Sequence, residues 1–231
     1  MYDEDWWKQY EAWAEETEVE HTEIMDMAKR HIAEIFPADV GVVIDMGCGR
    51  LRMGESFGGL TYVGFDLEHH PDEKGVIDYC ELQDFLEGNA MPLSPGFDEE
   101  SSALLVQENF RHIDFDMILK NTDGWHGYRG TSLVVSIFSA ELYCYACDNL
   151  YQRAFDEGVD AIVASGVYYR GTDVNMAIGE VGSQIRQTWP IAPPPNDVYN
   201  ETRIVRSVPS TMFGDDVIEV WRVMTRKGET R

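Results

Sequence analysis

Val42-Val43-Ile44-Asp45-Met46-Gly47-Cys48-Gly49 is an apolar, largely β-branched run that stops at an acid and then at two glycines. A parallel strand buried on both faces reads as such a run. Glycines at its end let the backbone turn sharply and leave room for a ligand. Tyr62-Val63-Gly64-Phe65-Asp66 repeats the pattern, a short apolar run closed by a carboxylate. In doubly wound α/β sheets ligands bind beyond the carboxyl ends of the strands. There an acid about 20 residues past the glycine turn hydrogen-bonds a ribose. Asp66 is placed for that contact, and the fold class is α/β with a doubly wound, mostly parallel sheet.

Asp45-Met46-Gly47-Cys48-Gly49 followed by Gly64-Phe65-Asp66 resembles the cofactor-binding signature of the class I S-adenosylmethionine-dependent methyltransferases. The resemblance implies a seven-stranded Rossmann-like sheet with a reversed, antiparallel C-terminal hairpin. It also implies S-adenosylmethionine held against Asp45, Gly47, Cys48, Gly49, Asp66 and Leu67. A nicotinamide dehydrogenase is the competing class, with the fingerprint G-x-G-x-x-G. Here Gly47 and Gly49 are followed by Arg50-Leu51-Arg52, and the next glycine is Gly54. Many members of the resembled family carry a small residue where Arg50 and Leu51 stand. That departure bears on how the methionine end of the donor is held.

The length of 231 residues fits one domain spanning 1–231, with an N-terminal helical cap over 1–36 and an insertion over about 70–109. No apolar run is long enough to span a membrane. The N-terminal Met1-Tyr2-Asp3-Glu4-Asp5 is acidic where a signal peptide is basic, and four cysteines in no regular framework suit a reducing cytoplasm. The 42 acidic and 18 basic residues leave a net charge of −24. Such a field repels phosphates, which argues against a nucleic-acid substrate. It serves either as a solvation device or as an attraction for cationic partners.

Residues 2–35 read as helix in two pieces. Trp6, Tyr10 and Trp13 recur at helical spacing, either as a buried stripe or as a lid over the substrate site. The second piece, about Thr22–Phe36, carries Ile24, Met25, Ala28, Ile32 and Ile35, and Pro37 stops it. His69-His70-Pro71-Asp72 reads as a turn, with no third ligand to make the histidines a metal site. Ser94-Pro95-Gly96 then opens a helix running through Leu104-Leu105-Val106. The third strand is assigned to Phe110–Phe115, whose Asp114, beside Phe115, takes the adenine contact that the resemblance implies. Gly88–Leu93, with Asn89 in the acid's place, is the rival.

Thr131–Phe138 is the fourth strand, at the switch point of the sheet, with its carboxyl end facing the methyl group and Ser136, near that end, a cofactor-binding candidate. Ser139-Ala140-Glu141 begins a helix to about Glu157, which Gly158 ends. Val159–Val167 is the fifth strand, and 174–188 another helix. Thr202–Val208 and Val217–Thr225 form the terminal hairpin.

Methyl transfer is an in-line displacement on a sulfonium carbon, in which alignment alone can remove roughly 7–11 kcal/mol of barrier. A general base is needed only where the acceptor must lose its proton early. His126, in the loop with Asp123, Trp125 and Tyr128, is the candidate base. Ser136-Ile137-Phe138-Ser139 stands where amino-methylating DNA enzymes carry Asp/Asn-Pro-Pro-aromatic, and no Pro-Cys pair exists for attack on cytosine. Cys144-Tyr145-Ala146-Cys147 lies in an expected helix and reads as a buried face. The reading is methyl transfer to a small molecule or a protein side chain. The alternative is an inactive cofactor-binding or regulatory protein on the same fold.

Overall fold

The computed structural model describes residues 4–36, 38–50, 52–58, 61–69, 75–88, 103–109, 112–122, 130–137, 150–169, 199–207 and 217–227. Its centre is β1 (Val40–Met46), paired in parallel with β2 (Thr61–Asp66) on one side and β5 (Thr131–Ile137) on the other. Beyond them lie β3 (Val76–Asp78), β4 (Ala103–Gln107), β6 (Ala161–Tyr169), β7 (Tyr199–Ser207) and β8 (Val217–Arg226). The order is β3-β4-β2-β1-β5-β6-β8-β7, with β8 antiparallel to both β6 and β7. The winding reverses between β1 and β5, so the carboxyl ends of β1, β2 and β5 face a common crevice.

The alternation of β1 sorts the two faces. Val42, Ile44 and Met46 join a core with α2 (Tyr79–Leu86), α3 (Phe115–Thr122) and α4 (Leu150–Asp156). Val43 points the other way, into a core with Leu133, Val135, Trp221 and the helix α1 (Glu4–Ile35). Side chains of successive strand residues stand on opposite faces, so one apolar run supplies both cores. Among the described residues no helix is long and apolar enough to cross a membrane.

Four expectations change. The sheet has eight strands rather than seven, because Val76–Asp78 adds a short edge to β4. The strand beside β2 is Ala103–Gln107, so Leu104-Leu105-Val106 belongs to a strand and not to a helix. Of the expected strand Phe110–Phe115, the described residues 112–115 are not in a strand: Asp114 precedes α3, and Phe115 is its first residue. Of the rival Gly88–Leu93, Gly88 follows α2 and 89–93 lie outside the described residues. Finally, α1 is one continuous helix, since no Gly or Pro interrupts residues 4–36. The fourth and fifth strands and the terminal hairpin stand within three residues of their expected bounds at the ends that are described. The expected helix at 174–188 and the start of the one from Ser139 lie outside the described residues.

Candidate functional site

Beyond Met46 the chain turns through Gly47 and Gly49, whose φ angles of 71° and 53° are left-handed. Side-chain-bearing residues rarely adopt that region, which is why glycine stands at both positions. The N–H groups of Gly47 and Cys48 both donate to Phe65 O, at 2.7 and 3.1 Å, so the bend is pinned to the end of β2. Gly49 N donates to Asp66 Oδ2 at 3.0 Å. Asp66 Oδ1 accepts a long bond from Glu68 N, at 3.4 Å, on the turn that leaves β2. Burial raises the pKa of Asp66 above the usual carboxylate value, opposed by the N–H of Gly49 and by His69. Asp66 is half-buried at the crevice, and Leu67 beside it is 56% exposed.

Asp45 sits on the other side of the bend. It is 2% exposed and accepts from Tyr62 Oη at 2.8 Å and Gly54 N at 3.1 Å through one oxygen, Oδ2. Burial pushes its pKa up to about 7, while the bonds from Tyr62 and Gly54 act in the opposite direction. Gly54 belongs to a 3-10 turn (Met53–Phe57), the only helical element described between β1 and β2. Arg52, which caps the turn, has a φ of 41°, an unusual conformation for a residue with a Cβ. Asp45 therefore supports the bend from beneath and holds the turn that follows it.

The first turns of α1 close one side of the bend. Tyr10 Oη lies 3.3 Å from where a Cβ on Gly49 would stand, and Tyr10 stacks on Trp6 at 5.3 Å. Glu11 pairs with Arg50 at 2.9 Å. Trp7 and Trp13 are buried, whereas Trp6 and Tyr10 are half-buried beside the glycines.

The end of β4 adjoins Asp66 on the far side. Gln107 is in register with Asp66, Glu108 N donates to Asp66 O at 2.9 Å, and the Nε2–H of His69 donates to Val106 O at 3.0 Å. Ser136 is fully buried near the end of β5. Asp114 Oδ1 accepts from Met117 N at 2.8 Å, the bond of a helix N-cap. Phe115 is buried in the α2–α4 core under the Arg153 guanidinium, with its N–H given to Glu157 Oε2. His126, Asp123, Trp125, Tyr128, Ser139, Glu141 and the Cys144/Cys147 pair lie outside the described residues.

Sequence reasoning missed a second buried polar group, formed by α1 and β8. His21 Nε2 lies 3.5 Å from Glu219 Oε2, which also accepts from Trp221 Nε1 at 3.2 Å. The Thr17 hydroxyl gives its proton to Trp13 O at 2.8 Å, so it accepts from His21 Nδ1 at 3.1 Å. No local signal joins residues so far apart in the chain.

No family model and no curated protein sequence matches the chain. Among solved structures it is similar to the plantazolicin methyltransferase BpumL in complex with SAH, at 10% identity and a TM-score of 0.46, over 97% of this chain and 91% of that one. It is also similar to the 23S rRNA methyltransferase ErmE, at 9% identity and a TM-score of 0.45, over 88% of this chain and 68% of that one. The N-methyltransferase NodS from Bradyrhizobium japonicum WM9 matches at 9% identity and a TM-score of 0.39, over 87% of this chain and 96% of that one.

Proposed function

We propose that this protein is a cytoplasmic class I methyltransferase that uses S-adenosylmethionine and acts on a small molecule or a protein side chain. The observation that carries the reading is the Asp66 carboxylate, tied to Gly49 N at the common end of β1 and β2. One of its oxygens orders the bend, and the other accepts a long bond from Glu68 N. A carboxylate so placed accepts from a ribose diol in dinucleotide-binding sheets. The cradle fits a nucleoside, because Gly47 and Gly49 bring bare backbone to the crevice.

In this reading Asp66 holds the sugar, Leu67 and the Glu108 end of β4 flank the base, and Gly47, Cys48 and Gly49 pass beneath the donor. Ser136 closes the end of β5, and Asp45 fixes the bend rather than touching the ligand. When bound, S-adenosylmethionine supplies a methyl group already activated by its positively charged sulfur. The chain's part is then orientation and the exclusion of water, and alignment is worth roughly 7–11 kcal/mol. The half-buried Trp6 and Tyr10 supply an aromatic wall on the α1 side. His126 remains the proposed base.

Calorimetric titration of S-adenosylmethionine and its demethylated product into wild type and Asp66→Ala tests the site. Both ligands are expected to bind wild type, and Asp66→Ala is expected to bind at least about tenfold more weakly, as for a lost hydrogen bond to a charged group. Equal binding by the two proteins, or none by either, overturns the reading. Transfer of labelled methyl into a cell extract then separates an enzyme from a protein that binds the nucleoside without using it.

A further inference from the structure

The connection from β1 to β2 carries one 3-10 turn among its described residues, and a turn of five residues covers little of the neighbouring α1. Between the two runs a groove of about 310 Å³. Buried Ala14 and Met25 and half-buried Met53 give it an apolar lining, while Glu15, Glu18 and Asp26 stand exposed along it. Lys29, 3.8 Å from Asp26, also lines the groove and reaches over the Phe57 ring. Three carboxylates thus face one ammonium and the His21 imidazole. Among the described residues no cation pairs with Glu15 or Glu18.

From this geometry we propose that the groove between α1 and the 3-10 turn is a second binding site, for a cationic amphiphile: an apolar body carrying an ammonium group. The volume is that of a small-molecule site, where apolar contact supplies affinity and a few polar groups fix orientation. Ala14, Met25 and Met53 receive the body, and Glu15 and Glu18 receive the charge. A carboxylate on the ligand is disfavoured by the same pair and by the net charge of −24, which also disfavours a second copy of the chain. The occupant lies beside the glycine bend and not in it, on a turn that hangs from Asp45 through Gly54 N.

Three probes of equal chain length separate charge from apolar contact: octylammonium, octanol and octanoate, each below its micellar range. With the methionine methyls isotopically labelled, octylammonium is expected to shift Met25 and Met53 saturably. Octanol is expected to bind about tenfold more weakly, and octanoate not to bind. In Glu15→Gln/Glu18→Gln, which alters two exposed side chains, octylammonium affinity is expected to fall about tenfold and octanol affinity to stay, the size expected of two near-surface charges. Equal affinity for octylammonium and octanol, an unchanged double variant, or shifts confined to other methionines overturns the proposal. None of these outcomes depends on whether the glycine bend takes a nucleoside.

Discussion

Gly54 N lies 3.1 Å from Asp45 Oδ2, and a Cβ built on Gly54 would stand 2.4 Å from that same oxygen. The 3-10 turn therefore rests directly on a buried carboxylate, with no room for a methyl group between them. Gly54→Ala is expected to lower unfolding free energy by about 1–3 kcal/mol, the range for overpacking a filled interior. Urea denaturation measures it. Gly58→Ala is not a suitable control, because its φ of 70° adds strain of its own.

What could be read from the chain follows from how local each signal is. The Val42–Gly49 run and Asp66 were legible because a buried strand, its glycine bend and the acid closing the next strand are each written in consecutive residues. Ala103–Gln107 was not, because Leu104-Leu105-Val106 is buried on both faces and shows no alternation to separate a strand from a helix. Asp114 was read as lying near a strand end, and it precedes a helix, because a carboxylate beside an apolar run marks a strand end and a helix start alike. The spacing of Asp78 and Glu81 was a legible sign that went unused; the two form a reciprocal capping box at the start of α2. The 3-10 turn and the His21–Glu219 contact were out of reach, the first too short for periodicity and the second made only by tertiary packing.

Asp45 makes stability depend on pH. The folded protein holds this proton up to about pH 7, whereas an unfolded aspartate releases it near its ordinary 3.8. Between those values the folded state binds more protons than the unfolded one, so the contribution of Asp45 falls as pH rises from about 4 to 7 and is level above. Asp45→Asn keeps an oxygen for Tyr62 and Gly54 but has no such proton. The difference between the wild-type and variant stability curves should slope downward across that window, by at most on the order of 4 kcal/mol. Asp66, raised in the same direction, is common to both proteins, so the difference reports Asp45 and its coupling to Asp66. A flat difference curve would mean that Asp45 is ionised when folded.

Glu219 is the acceptor on which α1 and β8 meet, at 1% exposure, with His21 and Trp221 directed at one oxygen. Removing it leaves the buried Trp221 Nε1–H without this acceptor, and losses of about 1–3 kcal/mol are typical when a buried donor loses its partner. Glu219→Ala should therefore be more damaging than Glu11→Ala, whose ion pair with Arg50 is half-exposed and worth at most about 1 kcal/mol. Chemical denaturation of the two variants side by side decides it; similar losses would show that the buried cluster does not join the helix to the sheet.

Asp114 offers the sharpest separation between a structural role and a ligand role. Its Oδ1 accepts from Met117 N at 2.8 Å, and its carbonyl accepts from Ile118 N at 3.2 Å, so side chain and backbone both start α3. A lost N-cap costs about 1 kcal/mol, and serine, another good cap, restores most of it. Asp114→Ala is expected to lose that amount and Asp114→Ser to recover it, with S-adenosylmethionine affinity the same in both as in wild type. The opposite pattern, a tenfold weaker nucleoside and unchanged stability, would place this carboxylate on the adenine and take it away from the helix.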